Sequence, residues 1–472
     1  MATSTLSQRP ITIEEKQSVL ELVRRGRATM AAIAHYDQPT VDRLCRAIAW
    51  ATSNEETSVQ LANMSVDESG LGSREPTRRA KVLGILRDAL RQKSMGVIEE
   101  IPEKGIVKYA KPAGIIASLV PVTSPYVTPA GIAIYAMKCK DAVIFAPHPA
   151  SKRTTNEVVR LLRAAMKKQG VPEDIFQCVQ RPSIAVAQEL MATCDLTIAT
   201  GGPAMVRAAY SSGKPAYGVG AGNATIVIDE TADIAEAAKF VCISKTNDYG
   251  SGCSADGNAL VDSRIYDAFL TQLQSQGGYL INAEEKAKLQ AAYWDKEGHR
   301  TLETIARPAQ MVATHAGFTV PADKSFLIVS EDKIGKQYPF STEKLGTVLA
   351  IFKYTGFDMA LDMVRQIFDT AGKGHSCGIY SLSDEHIHQL ALVAPVSRMM
   401  VRQPQSRANA GTFTNGMPMT SSMGCGVWGG NITNENISLK HYMNVTWVSR
   451  PIAEDRPSDQ ELYDEFYNSE IF

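Results

Sequence analysis

Cys253 lies in Asn247-Asp248-Tyr249-Gly250-Ser251-Gly252-Cys253-Ser254, a loop rich in glycine and serine. Glycines let the backbone approach a ligand closely and gather amide N–H groups around the sulfur. Such donors favour the thiolate, the reactive form of a cysteine. The alternative is an inert core cysteine, the commoner fate of a single Cys. Core cysteines sit in apolar runs, as Cys139 and Cys242 do. The surroundings of Cys253 are not such a run, so Cys253 is the candidate nucleophile. His375 follows two glycines in Gly372-Lys373-Gly374-His375-Ser376, ahead of an expected strand. An imidazole there can move a proton near neutral pH, or it can simply bond backbone in a tight turn.

These side chains need a frame. The first hundred residues read as helices: Thr12 to Arg25, Gln38 to Ala62 and Arg78 to Gly96 carry apolar residues at helical spacing. Apolar runs then alternate with helices. Strands are expected over Ile115 to Val120, Ala142 to Ala146, Phe176 to Val179 and Leu196 to Ala199. Helices are expected over Thr128 to Lys138, Thr154 to Gln169 and Ser183 to Thr193, the last with Ser183 as N-cap. Continuous apolar strands separated by helices indicate a parallel sheet covered on both faces, a doubly wound nucleotide-binding domain. A second α/β unit begins near Thr231, with strands expected at Ala259 to Val261, Leu345 to Phe352 and Gly378 to Ser381. The tail from Ser438 to Ile452 is β-prone and suits pairing with another subunit's sheet edge. The last twenty residues read as a loose polar arm.

Composition narrows the partners. The 472 residues carry 49 Lys+Arg against 50 Asp+Glu and no extended basic run, so neither nucleic acid nor an acidic membrane surface is an expected partner. No stretch approaches the ~18 apolar residues of a membrane span. Met1 to Pro10 is polar and lacks the apolar core of a secretory signal. The eight cysteines show no C-x-x-C spacing, so no metal site or disulfide framework is expected; reduced thiols in a cytoplasmic protein fit best.

Six ordered segments resemble the coenzyme A-acylating branch of the aldehyde dehydrogenase superfamily. They are Ile116 to Pro125, Ala146 to Pro149, Ala199 to Gly222, Ser244 to Asn258, Gly372 to Tyr380 and Gly424 to Asn436, spread over about residues 10 to 450. The resemblance implies an aldehyde dehydrogenase-like α/β fold: a Rossmann-type cofactor domain with N-terminal helices (1–230), a catalytic domain (231–427), and a return with a small β oligomerisation element (428–472). It assigns Cys253 as the nucleophile that adds to an aldehyde, loses hydride to NAD or NADP, and keeps a thioester. His375 matches a histidine of the acylating enzymes. Thr123 stands in the turn where the hydrolytic enzymes place an asparagine oxyanion donor, a departure. Those enzymes also carry a glutamate base where this chain has Gly218 in Gly218-Val219-Gly220-Ala221-Gly222-Asn223. Without that base the thioester must await a better nucleophile than water, and coenzyme A is one.

The resemblance also distributes the binding residues. Thr200, Gly201 and Gly202 end a strand before a helix whose N-terminus favours phosphate. His148 and Pro149 would lie near the adenosine ribose. Ser151, Lys152 and Arg153 would hold a 2′-phosphate or form a solvated basic helix start. Gly220 joins the cofactor side, and Glu343 resembles the family's contact to the nicotinamide ribose. The polar stretch Arg402 to Met419 is the expected substrate wall, with Arg402, Arg407, Asn409 and Thr412 facing a small anionic aldehyde. The C-terminal half looks most like acylating sulfoacetaldehyde dehydrogenases, with succinate semialdehyde and acetaldehyde as alternative substrates. A homodimer or homotetramer is expected. A hydrolytic dehydrogenase and a non-catalytic structural homologue are the more distant readings.

Overall fold

Thr12 opens the chain's first helix with a capping box closed by Glu15, and α1 runs Ile13–Ala32. Asp37 caps α2 (Gln38–Ser53) and Asn54 caps α3 (Glu55–Ser69). The single helix expected over 38–62 is therefore broken at Asn54, whose side chain accepts from the Thr57 N–H and restarts the chain in a new direction. Then comes α4, Arg79–Leu90. This computed structural model describes residues 9–75 and 77–467. Most of the Met1 to Pro10 reading, and the last five residues of the terminal arm, lie outside them. Residues 453–467 are exposed and include a short helix, Asp459–Tyr463.

Three sheets carry the rest. Strands β1 (Gly96–Ile101) and β2 (Ile106–Pro112) form a hairpin that sequence reading did not separate from the helical layer. Next come β3 (Ile115–Val120), helix α5 (Val127–Cys139), β4 (Ala142–Pro147), helix α6 (Lys152–Lys168) and β5 (Phe176–Cys178). Helix α7 (Ile184–Thr193), β6 (Leu196–Thr200), helix α8 (Pro203–Tyr210) and β7 (Ala216–Val219) complete a parallel sheet in the order β5-β4-β3-β6-β7. Ser183 caps α7 as expected. Every residue of β3, β4 and α5 is buried, which explains their continuous apolar runs.

The second sheet starts earlier than Thr231. Strand β8 (Thr225–Ile228) already pairs with later strands. Helix α9 (Ile234–Thr246) leads through the Cys253 loop to β9 (Asn258–Asp262), and β10 (Gly278–Leu280), β11 (Phe326–Ser330), β12 (Val348–Tyr354), β13 (Cys377–Tyr380) and β14 (Met399–Val401) follow. Their order is β10-β11-β12-β9-β8-β13-β14, all parallel. Strand β8 thus joins the seven-stranded sheet ahead of residue 230, the boundary expected from the sequence. The β-prone tail forms β15 (Met443–Ser449), antiparallel to β2, and completes a three-stranded sheet, β1-β2-β15. Six of the seven β15 residues are exposed, including Val445, Trp447 and Val448. No helix among the described residues is long and apolar enough to cross a membrane.

Candidate active site

The nucleophile loop begins where α9 stops. Asp248, Tyr249 and Gly250 are left-handed in succession, at φ 51°, 51° and 68°. The first two carry side chains, so the conformation is strained and must be held from outside. Asp248 is buried and accepts from the Ser73 N–H at 2.6 Å, from Ser251 Oγ and from the Arg78 guanidinium. A Cβ on Gly250 would come within 2.4 Å of the Gly346 carbonyl, so only glycine fits there. The chain is thereby thrown back to present Cys253 at a partly open surface.

His375 meets it from the other side of the sheet order, at the mouth of β13. Its Nε2 lies 3.0 Å from Cys253 Sγ, and its Nδ1 lies 2.9 Å from Ser376 Oγ. Desolvation, then the Glu343 and Cys425 charges, push the Cys253 thiol up to about 12, with Arg398 opposing. Desolvation, then Arg398, push His375 down to about 3. The resting pair is thus a neutral thiol facing a neutral imidazole. The loop amide bond favours the thiolate as expected, and burial and the Glu343 carboxylate outweigh it in the resting site.

Two arginines escaped sequence reading. Arg398 is buried and donates to the His375 carbonyl at 2.9 Å, to Gly424 at 2.5 Å and to Asn434 at 3.1 Å. It fixes the histidine's backbone and brings positive charge to the sulfur without a carboxylate of its own. Its signal was an arginine opening the apolar run Met399-Met400-Val401. Arg78 bonds Ser251 Oγ at 3.0 Å, pairs with Asp248 and donates to the Thr123 carbonyl, tying the Thr123 turn to the Cys253 loop.

At Gly218 a side chain would meet close neighbours. A Cβ on Gly218 would stand 2.7 Å from Val206 Cγ1 and 2.9 Å from the Tyr210 ring. The Tyr210 hydroxyl donates to the Gly218 carbonyl and accepts from the Gly218 N–H, both at 3.0 Å. Gly222 is equally constrained: a Cβ there would lie 2.0 Å from the Cys253 carbonyl. Its N–H donates to Glu343 at 3.1 Å, and Arg300 pairs with the same carboxylate at 3.1 Å. Burial raises Glu343 above the usual carboxylate range. Gly220 lies beside Cys425, whose Sγ would be 3.6 Å from its Cβ.

The remaining cofactor candidates line the carboxyl ends of the first sheet, the place where open α/β sheets bind ligands. Thr200 Oγ1 is 2.8 Å from Ser422 Oγ, and Gly202 caps α8 with open space where a side chain would be. His148 Nδ1 accepts from the Ala150 N–H at 3.1 Å, and Pro149 follows it at the end of β4. Ser151 is fully buried and its Oγ has no partner, an orphan that fits a ribose hydroxyl. Lys152 and Arg153 are exposed. The α6 N-terminus beneath them is filled by the chain's own anion: Glu68 accepts from the Arg153 N–H, the Thr154 N–H and Thr154 Oγ1 at 2.7, 2.7 and 2.8 Å.

Of the two arginines expected on the substrate wall, Arg402 stands elsewhere. Arg402 turns out at φ 52° beyond β14, at the opposite end of β13 from His375, and pairs with Glu236 of α9 at 2.7 Å. Arg407 is exposed on the short helix Gln405–Ala408. Thr412 bonds Thr414 and Asn415 within its own loop. Asn409 is buried and bonds Gln405, with its Oδ1 unpartnered.

Residues 14–291 match the aldehyde dehydrogenase family. The chain is 41% identical over 95% of its length to a sulfoacetaldehyde dehydrogenase of Acholeplasma sp, of which it covers 94%. It is 38% identical over 96% of its length to the acylating sulfoacetaldehyde dehydrogenase of Bilophila wadsworthia, of which it covers 99%. Among solved structures it superposes on an acetylating aldehyde dehydrogenase from Geobacillus thermoglucosidasius with a TM-score of 0.90 and 32% identity, over 96% of this chain and all of that one.

Proposed function

Because the chain belongs to the aldehyde dehydrogenase family, in its coenzyme A-acylating branch, we propose that it converts sulfoacetaldehyde to sulfoacetyl-coenzyme A reversibly, with NAD or NADP as oxidant. Two relatives with over a third of their residues in common are named sulfoacetaldehyde dehydrogenases, one of them acylating. The observation that carries the reading is Cys253 Sγ held 3.0 Å from His375 Nε2, with glycine at 218 packed against Val206 and Tyr210.

Each step uses a placed group. As Cys253 Sγ attacks the carbonyl carbon, its proton passes to His375 Nε2 across 3.0 Å. Burial makes the imidazolium unfavourable, so His375 readily returns that proton to the new alkoxide, giving a thiohemiacetal. The Cys253 N–H and the Thr123 side chain are the oxyanion donors of this reading; one such donor is worth about 10²–10³ in rate. Ser151, Thr200, Gly201, Gly202, Gly220 and Glu343 would hold the dinucleotide, which when bound supplies the hydride acceptor. His375 takes the hydroxyl proton as the thioester forms and releases it to solvent. A coenzyme A thiol then gives its proton to the same, again neutral, imidazole and displaces Cys253, whose leaving thiolate takes that proton back. Because one thioester replaces another, little free energy is lost and the direction follows concentrations.

The exposed β15 edge, with Val445, Trp447 and Val448, is the surface through which we expect a homo-oligomer to assemble. The decisive measurement is coenzyme A-dependent cofactor reduction with sulfoacetaldehyde, succinate semialdehyde and acetaldehyde, each with NAD and NADP. Sulfoacetaldehyde should give the highest kcat/KM. A preference for acetaldehyde would reject the anionic substrate, and free acid formed at comparable rate without coenzyme A would reject acyl transfer to a thiol.

A further inference from the structure

With Arg402 paired to Glu236 beyond β14, a second cation can serve the anionic end of the substrate. Helix α4 supplies one. Arg78, at its N-cap, touches the Thr123 carbonyl and Ser251 Oγ, two residues before the nucleophile. Lys81 follows three residues later, on the same helix face and about one turn from the thiol loop. Its Nζ donates to the Ala410 and Gly411 carbonyls, both at 2.7 Å. An ammonium has three donors, so these two bonds leave one for a ligand. Gly411 has φ 80°, and a Cβ there would lie 2.7 Å from the Met417 carbonyl, so the backbone that clasps the lysine is itself fixed.

Lys81 differs from Arg78 and Arg398, the two arginines at the Cys253–His375 pair. Arg78 is neutralised by Asp248. Arg398 spends its guanidinium on three backbone carbonyls behind the imidazole. Among the described residues no carboxylate forms an ion pair with Lys81. The nearest charge it feels, Asp88, is held by Arg87 at 2.8 Å and by the Met419 N–H at 2.8 Å. Desolvation lowers Lys81 to about 7, as befits a buried cation short of a counter-ion.

We propose that Lys81 receives the anionic head group of the aldehyde, with the 410–411 carbonyls aiming its ammonium between α4 and the Thr123 turn. This rests on the substrate being a small anionic aldehyde. It makes the segment 402–419 a holder of the recognising charge instead of its source. A sulfonate or carboxylate gains a charge-assisted bond with an ammonium that is already desolvated.

The test compares kcat/KM for sulfoacetaldehyde with that for uncharged propionaldehyde in wild type, Lys81→Met, Lys81→Gln and Lys81→Arg. Loss of one charged hydrogen bond corresponds to about 10- to 100-fold. The sulfoacetaldehyde-over-propionaldehyde ratio should fall by that factor in the Met and Gln variants, chiefly through KM, and stay mostly intact in Lys81→Arg. Sulfoacetate should also slow iodoacetamide alkylation of Cys253 in wild type and Lys81→Arg, and not in the other two. An equal fall for both aldehydes would mean that Lys81 only props the fold, and an unchanged ratio would overturn the assignment outright. A wild type without preference for the sulfonate would instead reject the anionic substrate itself, and this assignment with it.

Discussion

The two parallel sheets put their ligand-facing edges to opposite uses. The five-stranded sheet ends in glycines, hydroxyls and backbone: Gly201, Gly202, Thr200 and the orphan Ser151 Oγ. The N-terminus of α6 at this edge is already taken by Glu68. The seven-stranded sheet surrounds its edge with buried charge: Lys245, Asp256, Lys344, Glu343 and Arg398. Lys245 is lowered to about 8 and Asp256 raised to about 7, both by burial. One edge is shaped to hold a ligand by backbone, and the other to set the protonation of two neutral reacting groups. The contrast can be broken or sharpened by substitution.

The largest effect is expected at His375. His375→Ala should slow both acylation and transfer to coenzyme A, each by about 10²–10⁴-fold. Stopped-flow measurement of the two half-reactions separates them. A variant slowed in one half only would split the role assigned to this imidazole.

Gly218→Glu comes next. If backbone packing defines this edge, the added side chain must displace Val206 or Tyr210, and overpacking should cost about 1–3 kcal/mol. Thermal unfolding would read that loss, and acid formation without coenzyme A should stay absent. A stable Gly218→Glu that hydrolyses the thioester would show that only a missing base, and not the packing, separates this site from the hydrolytic ones.

A smaller effect concerns charge at the sulfur. A thiol raised to about 12 is almost entirely protonated at neutral pH. Below its pKa the thiolate fraction grows tenfold per pH unit. Iodoacetamide alkylation of Cys253 in the free enzyme should therefore climb about tenfold per unit from pH 6 to 9 without a plateau. Arg398→Met should lower the rate at fixed pH by roughly three- to tenfold, because the cation that opposes Glu343 is gone. A plateau near pH 7 would restore the loop amides as the dominant influence.

The frame of the first sheet was legible because β3, β4 and β6 are buried on both faces, and burial leaves an unbroken apolar run. The hairpin β1–β2 was not, because its residues are mostly half-exposed and its apolar residues are interrupted by Glu99, Glu100, Lys108 and Lys111. The break between α2 and α3 rests on one asparagine cap that hydrophobic spacing does not register. In the site, Cys253 and His375 were readable from the glycines that their close backbone approaches require. Arg78, Lys81 and Arg398 were not, because their roles depend on partners far away in sequence: Lys81 and Gly411 are 330 residues apart. Local pattern pointed to Arg402, whose neighbour in space is Glu236.

The smallest expected effect lies at Glu68. With its carboxylate on α6, a 2′-phosphate arriving at Lys152 and Arg153 meets a like charge. Glu68→Gln should raise the affinity for NADP relative to NAD by about two- to fivefold, the size of one exposed helix-end charge effect. Calorimetric titration of the protein with each cofactor measures it. No change would remove the α6 end from cofactor selection.

At Gly222, Gly372 and Gly374 main chain rests directly on main chain: their missing Cβ atoms would fall 2.0 Å from the Cys253 carbonyl, 2.3 Å from Asn223 Cβ and 1.9 Å from the Cys425 carbonyl. The gap between sulfur and imidazole is consequently gauged by peptide units, which substitution of surrounding side chains leaves untouched. Such a chassis can change its diet without retuning its engine: the walls at Lys81 and 410–412 are free to be recut for another aldehyde while the reacting pair keeps its spacing.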